Sequence, residues 1–170
     1  NHCYSSPIYR KKVHQINEQL AKRYGSHPAL AMWHISNEYS GECFCGYCQE
    51  NWRKWLQKKY GDLATLNHAW WMSFWGNNYS DWSQVLPPSP LGEHKVHGMD
   101  LDWKRFVTDM TIDFYLHECE PIREQTPDIP ITTNFMAEGH ATQDFIPLEG
   151  IDYSKFARYV DIVSWDSYPD

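Results

Sequence analysis

The sequence lacks three features that would indicate membrane or nucleic-acid binding. No apolar run approaches the roughly 18 residues that a membrane-spanning helix needs, and we see no signal peptide at the start. Its 15 Lys and Arg are outnumbered by 22 Asp and Glu, which gives a formal net charge of -7. Such an acidic surface argues against nucleic acid and anionic membranes as the main partners. The first residue is Asn1, so we expect a processed chain or one cut from something longer.

Aromatic residues, in contrast, are abundant. They make up 16% of the 170 residues and include 9 Trp and 11 Tyr. Aromatic side chains of this number can fill a hydrophobic core. They also suit a cleft that stacks flat, weakly polar ligands such as sugar rings.

The hydrophobic pattern predicts alternating helices and strands. Helices are predicted over about Ile8–Tyr24, Gln49–Tyr60, Leu63–Trp71, Leu101–Glu124 and Tyr153–Tyr159, and strands over Pro28–Ser36, Pro130–Phe135 and Val160–Trp165. The apolar spacing of the first helix is carried by Ile8, Val13, Ile16, Leu20 and Tyr24. Alternation of this kind predicts an α/β fold with a parallel sheet, whose first strand, mostly apolar without alternation, is expected to be buried on both faces.

Each predicted strand ends in polar residues. These are Asn37 and Glu38, then Asn134, then Asp166 with Tyr168. The carboxyl ends of parallel strands are where α/β barrels place their active sites. The same residue types also start turns and cap helices, so one such cluster alone would be weak support for a site.

The five cysteines include a compact group, Cys43, Cys45 and Cys48. A disulfide between Cys43 and Cys45 would be badly strained, whereas zinc favours four thiolate ligands in a tetrahedron. If Cys3 folds back as the fourth ligand, the metal has no open position and is structural; disulfides and free thiols are the alternatives. Cys119 lies on the apolar side of a helix and is expected in the core. This usage predicts a reducing compartment.

Glu38 is the strongest candidate for catalysis. Burial near Trp33 and other aromatic residues would raise its pKa, which lets a carboxylic acid act as a general acid near neutral pH. Glycosidases use one such acid and a second carboxylate on the other side of the sugar. A helix cap or ion-pair partner is the alternative role for Glu38.

Several segments together resemble a known enzyme family. They are Trp33–Tyr39 (WHISNEY), His2-Cys3, the three clustered cysteines, Trp55–Gly61, Leu66–Trp70, Phe74-Trp75, Thr132–Phe135 and Ser164–Pro169. In order and spacing they resemble glycoside hydrolase family 42, the bacterial β-galactosidases. The resemblance covers nearly the whole chain.

The resemblance implies a (β/α)8 TIM barrel that releases terminal β-galactose from β-galactosides with retention. It implies Glu38 as the acid/base, Asn37 as a ligand of a hydroxyl next to the reacting carbon, and Trp75 as a wall of the galactose pocket. It assigns the structural zinc to Cys3, Cys43, Cys45 and Cys48. A bacterial cytoplasmic enzyme that forms trimers when whole is also implied.

Two family features have no counterpart in this sequence. No segment resembles the strand that carries the nucleophilic Glu, and the substrate-binding Arg upstream of the first zinc Cys is missing. We therefore expect residues 1–170 to be a single segment of the barrel, with about three of its strands, incomplete at both ends and without hydrolytic activity alone.

Other functions stay open on the sequence alone. The runner-up is a zinc-stabilised carbohydrate-binding or structural module, because the second carboxylate is missing and aromatic residues are many. A metal hydrolase is disfavoured because the nine His show no His-Glu-x-x-His pattern. Other β-glycosidases share the Asn-Glu strand end, so the cysteine group and the flanking motifs are what indicate family 42.

Overall fold

The computed structural model describes residues 2–89, 96–136 and 150–167. They divide into two compact units, one formed by Asn1–Gly41 with Thr108–Asp170 and the other by Glu42–Val107. The elements in chain order are α1 (Pro7–Tyr24), β1 (Trp33–His34), α2 (Gly46–Tyr60), α3 (Leu63–Ala69), α4 (His97–Gln125), β2 (Ile131–Phe135), α5 (Tyr153–Phe156) and β3 (Ile162–Trp165). Two short 3₁₀ turns, Met72–Trp75 and Trp82–Gln84, lie between α3 and α4.

The first unit is built on a three-stranded sheet in the order β1-β2-β3. Trp33 pairs with Ile131, and Thr132 pairs with Ile162, and both pairings are parallel. The α/β class and the parallel sheet expected from the alternating pattern are thus confirmed. Parallel pairing brings the carboxyl ends of all three strands to one edge of the sheet.

β1 is shorter and less buried than the sequence predicts. The ladder to β2 runs from the Trp33 N–H to the Ile35 N–H, and Ser36 then turns to a φ of 55°, which no strand can adopt. Within the described sheet β1 pairs only with β2, and His34 is exposed. The prediction of a strand buried on both faces is therefore wrong for β1, although Ile131, Thr132 and Thr133 of β2 are all buried.

α1 begins where the sequence provides a cap and Pro at the first position. Ser6 accepts a hydrogen bond from the Tyr9 N–H, which satisfies a helix-end donor. The buried residues of α1 are Val13, Asn17 and Ala21, so the expected stripe is wrong apart from Val13, and Ile16 is 54% exposed.

The reason for this different buried face is the packing of α1 against α4. The Asn17 side chain donates to the Glu118 carbonyl at 3.0 Å, and a Cβ on Gly25 would lie 2.6 Å from the Thr126 side chain. Small and polar residues let α1 and the residue after it approach α4 closely. A search for large apolar residues at helical spacing cannot predict a buried face of this kind.

The second unit is held together by tryptophans. Trp52 is fully buried; it stacks on Trp55 and Trp70 and meets Trp103 edge to face. Phe106 contacts the same ring. Much of the aromatic content therefore serves as core in this unit, one of the two roles that the composition left open.

α4 has a long buried side that agrees with its sequence pattern. Phe106, Met110 and Phe114 are all buried, and Cys119 lies in the core of the first unit, as predicted. Among the described residues, no helix is long and apolar enough to cross a bilayer.

We expect core truncation in the second unit to be costly. Leu56 on α2 is fully buried, whereas Leu101 on α4 is 49% exposed. Leu56→Ala should lower the free energy of unfolding by about 2–5 kcal/mol through lost contacts and a cavity, and Leu101→Ala should lower it by less than about 1 kcal/mol. Urea denaturation followed by circular dichroism measures both, and equal losses would contradict this packing.

Candidate active site and metal centre

The polar residues at the three strand ends form one hydrogen-bonded group in the first unit. The Glu38 N–H donates to Asn134 Oδ1 at 3.3 Å. The Asn134 amide then donates to both carboxylate oxygens of Asp166, at 3.1 and 2.9 Å. The structure thus links the ends of β1, β2 and β3 through residues that the sequence singled out, while Tyr168 lies outside the described residues.

The pKa of Glu38 is raised, and the main cause is Asp166. A hydrogen bond between the two carboxyl groups comes first, followed by burial and by the negative charge of Asp166. The pKa of Asp166 is lowered because Glu38 and Asn134 both donate to it. The two pKa shifts run in opposite directions, so Glu38 is the more easily protonated member of the pair, and a general acid needs a raised pKa.

The expected aromatic wall is not the main reason for the raised pKa of Glu38. Trp33 is half-buried, and its indole N–H donates to Thr126 Oγ1 at 3.0 Å. Thr126 directly follows the last residue of α4. The direction of the shift agrees with the expectation, but a neighbouring carboxylate contributes more than burial does. The sequence does indicate where this carboxylate lies, since Asp166 directly follows β3, as Glu38 follows the first predicted strand.

The backbone at the end of β1 is strained. Ser36 has a φ of 55° and Glu38 a φ of 47°, both in the left-handed region that residues with a side chain rarely adopt. Ser36 Oγ lies 2.9 and 3.1 Å from the two carboxylate oxygens of Glu118, and the Tyr39 hydroxyl donates to the same carboxylate.

Sequence reasoning missed Glu118 although a signal exists. Glu118 is 5% exposed and lies one helical turn after Phe114 and one before Ile122, both buried. A carboxylate within an apolar helical stripe is rare without a partner, so this position could have been marked as one that needs hydrogen-bond donors.

The other two substrate-binding candidates are Asn37 in the first unit and Trp75 in the second. Asn37 is exposed, and its side chain hydrogen-bonds Glu38, which opposes the rise of the Glu38 pKa. Trp75 ends the first 3₁₀ turn of the second unit, but its side chain lies outside the description.

Three of the four proposed metal ligands converge within the second unit. Cys45 precedes the first residue of α2, and Cys48 lies in its first turn. The Sγ atoms of Cys43, Cys45 and Cys48 all lie within 4.8 Å of one another. Thiolates at roughly 2.3 Å from zinc in a tetrahedron lie roughly 3.8 Å apart, so this donor set fits zinc.

The remaining two cysteines lie in the first unit. Cys3 is half-buried, and its carbonyl accepts a hydrogen bond from the Ser6 N–H before α1. Burial raises the pKa of the Cys119 thiol to about 12, which agrees with its predicted place in the core. In the described residues no disulfide joins any of the five cysteines.

Comparison with known proteins gives relatives over the whole length of the chain. Beta-galactosidase GanA of Bacillus subtilis is 60% identical over 170 residues, and beta-galactosidase GalA of Bacillus licheniformis is 58% identical. Each match covers 99% of this chain but 25% of the relative. The chain therefore spans about a quarter of the length of these curated relatives.

Solved structures agree with the sequence comparison. Gan42B, a GH42 beta-galactosidase from G. stearothermophilus, matches with a TM-score of 0.93 and 62% identity over 99% of this chain and 24% of that one. A beta-galactosidase from Bacillus circulans sp. alkalophilus matches with a TM-score of 0.89 and 40% identity, over 99% of this chain and 25% of that chain. The strands and helices described above thus correspond to part of the TIM barrel of such enzymes.

The family model for glycoside hydrolase 42, described as beta-galactosidase, matches residues 1–170. This agrees with the resemblance seen in the strand-end and cysteine motifs. The chain belongs to glycoside hydrolase family 42.

Proposed function

We propose that this chain forms part of a retaining β-galactosidase in which Glu38 is the general acid and base. The observation that carries the proposal is the hydrogen-bonded group at the carboxyl edge of the sheet, in which Asn134 joins the Glu38 backbone to the Asp166 carboxylate. The neighbouring Asp166 raises the pKa of Glu38. The carboxyl edge is the one at which barrels of this class perform catalysis. The names of the relatives supply the substrate class, β-galactosides.

In the first step Glu38 donates its proton to the leaving oxygen of the galactoside. The charge that remains on Glu38 then faces the carboxylate of Asp166, and this repulsion favours the return of a proton. The first proton departs with the leaving alcohol as the nucleophile bonds to the galactosyl carbon. In the second step Glu38 takes a new proton from water, whose oxygen displaces the nucleophile from that carbon and releases galactose. Asn134 holds Asp166 in place throughout, because its amide donates to both oxygens of that side chain.

The remaining roles follow the family resemblance. We assign Asn37 to a galactose hydroxyl next to the reacting carbon and Trp75 to the wall of the galactose pocket. The nucleophile is proposed to be a carboxylate outside these 170 residues, so the chain alone should not hydrolyse galactosides. We further propose, from the same resemblance, that the full-length protein is trimeric. We also propose a bacterial cytoplasmic location, a reducing compartment in which cysteines such as these, unpaired in the described residues, are usual.

We also propose a structural zinc held by Cys43, Cys45 and Cys48, with Cys3 as the fourth ligand. Four thiolates leave no open coordination position, so the metal would stabilise the fold and would not activate water. No step of the reaction above depends on it.

The first test replaces Glu38 by Ala in the full-length protein. Loss of the acid should slow cleavage of lactose, with its poor leaving group, far more than formation of the galactosyl-enzyme from dinitrophenyl galactoside. A burst of dinitrophenol should appear, and azide should restore turnover and give β-galactosyl azide, because azide needs no deprotonation.

Other roles of Glu38 predict different results in the same assay. A helix cap or ion-pair partner predicts an equal loss for both substrates and no rescue by azide. A nucleophile predicts failure with both substrates and an α-azide product. Either pattern would remove Glu38 from the acid/base role.

The second test concerns the pH dependence. Asp166 raises the pKa of Glu38, so Asp166→Asn should lower it and Glu38 should lose its proton at a lower pH. The basic limb of the kcat/KM profile should therefore move to lower pH. Asp161, at the other end of β3, accepts from Arg123 and from the Ile131 N–H, so Asp161→Asn is the control that leaves the limb in place. A limb that stays unchanged in Asp166→Asn is the contrary result.

The third test concerns the metal. Cys43→Ser and Cys48→Ser should each lower the zinc content, which should be about one per chain for a single four-thiolate site, and should lower the melting temperature. Cys119→Ser is the control, because this thiol lies in the core and should leave the zinc content unchanged. Mass spectrometry of metals measures the content, and purified protein without metal but with undiminished stability would refute the zinc proposal.

A further inference from the structure

The segment that carries Glu38 adopts a conformation that its own residues do not favour. Ser36 and Glu38 both have positive φ angles, although neither is Gly, Asn or Asp, the residues that tolerate this region best. Such a conformation persists only where surrounding contacts impose it. The contacts that impose it must therefore lie close to this turn.

One buried carboxylate supplies those contacts on both sides of Glu38. Glu118 Oε1 and Oε2 lie 2.9 and 3.1 Å from the Ser36 hydroxyl, and the Tyr39 hydroxyl donates to Oε2. Ser36 comes two residues before Glu38 and Tyr39 comes directly after it. The same carboxylate thus holds both ends of the strained turn.

Glu118 is itself fixed in place. It lies on α4, and its carbonyl accepts a hydrogen bond from the Asn17 side chain of α1 at 3.0 Å. Within the described part of the chain its carboxylate forms no ion pair within 4.0 Å, and its hydrogen bonds come from the two hydroxyl groups. A carboxylate buried in this way is costlier than an apolar side chain of similar size, so stability alone does not account for it.

We propose that Glu118 is a positioning residue, which holds the Ser36–Tyr39 turn so that the carboxyl group of Glu38 stands at the strand edge in reach of the leaving oxygen. This inference rests on the proposed role of Glu38. It assigns no contact with substrate to Glu118, which acts only through Ser36 and Tyr39.

The test uses Glu118→Gln and Glu118→Ala in the full-length protein. A misplaced acid harms the substrate that needs protonation most, so kcat/KM for lactose should fall roughly tenfold more than kcat/KM for dinitrophenyl galactoside, a part of the 10²–10⁴-fold that general acid catalysis contributes. Gln keeps an acceptor oxygen and should give a smaller difference than Ala. The ratio of the two kcat/KM values does not depend on the fraction of folded enzyme.

Asp102→Asn is the matched control. Asp102 is also a buried carboxylate on α4, 1% exposed, and it accepts from Lys59, Trp70 and Arg105 in the second unit. Its loss should lower stability but should reduce kcat/KM equally for both substrates.

Ser36→Ala and Tyr39→Phe keep the test decisive if the Glu118 variants do not fold. Each removes one donor to Glu118 and should change the substrate ratio in the same direction by less. If these variants leave the ratio at the wild-type value while Glu38→Ala changes it, the role of Glu118 is refuted and that of Glu38 stands. If Glu38→Ala itself leaves the ratio unchanged, the proposed function has failed instead.

Discussion

The hydrogen bonds of the Asn134 side-chain amide are the interactions on which the rest of the strand-end group depends. This amide accepts from the Glu38 N–H and donates to both oxygens of Asp166. Only an amide offers an acceptor and two donors on one rigid plane, so it can join a backbone donor on one side to a carboxylate on the other. Because β2 lies between β1 and β3, its end is the one place from which a single side chain reaches both neighbours.

Two forces oppose each other in this group. The carboxyl groups of Glu38 and Asp166 repel when both are charged, and the left-handed backbone at Ser36 and Glu38 costs conformational energy. The sheet and α4 supply the restraint, through Asn134 on one side of the turn and Glu118 on the other. Because the restraint keeps Glu38 beside Asp166, the pKa of Glu38 is raised. Without that restraint Glu38 could move into water, where the charged form is favoured.

The parts that the sequence could predict are those set by local pattern. β2 was predicted almost to its ends because β-branched residues form a short run there. α1 was predicted to within one residue of its start and α2 to its end at Tyr60, but α2 begins three residues before the predicted Gln49, at Gly46. The cysteine group could be predicted from spacing alone. The buried face of α1, the short β1 and the role of Glu118 could not, because each depends on α4, which is distant in sequence and close in space.

The same geometry decides which carboxylates can share the proposed reaction. In retaining enzymes the acid and the nucleophile stand roughly 5–5.5 Å apart, with the glycosidic bond between them. Asp166 interacts with Glu38 closely enough to be the main cause of its raised pKa, which does not suit two groups with a sugar carbon between them, and Glu118 is buried. We therefore assign neither as the nucleophile and keep for them the proposed roles, Asp166 on the proton of Glu38 and Glu118 on its position. The proposed nucleophile is then a carboxylate outside these 170 residues, at another strand end of the barrel, and in a retaining mechanism it would act on the opposite side of the sugar from Glu38.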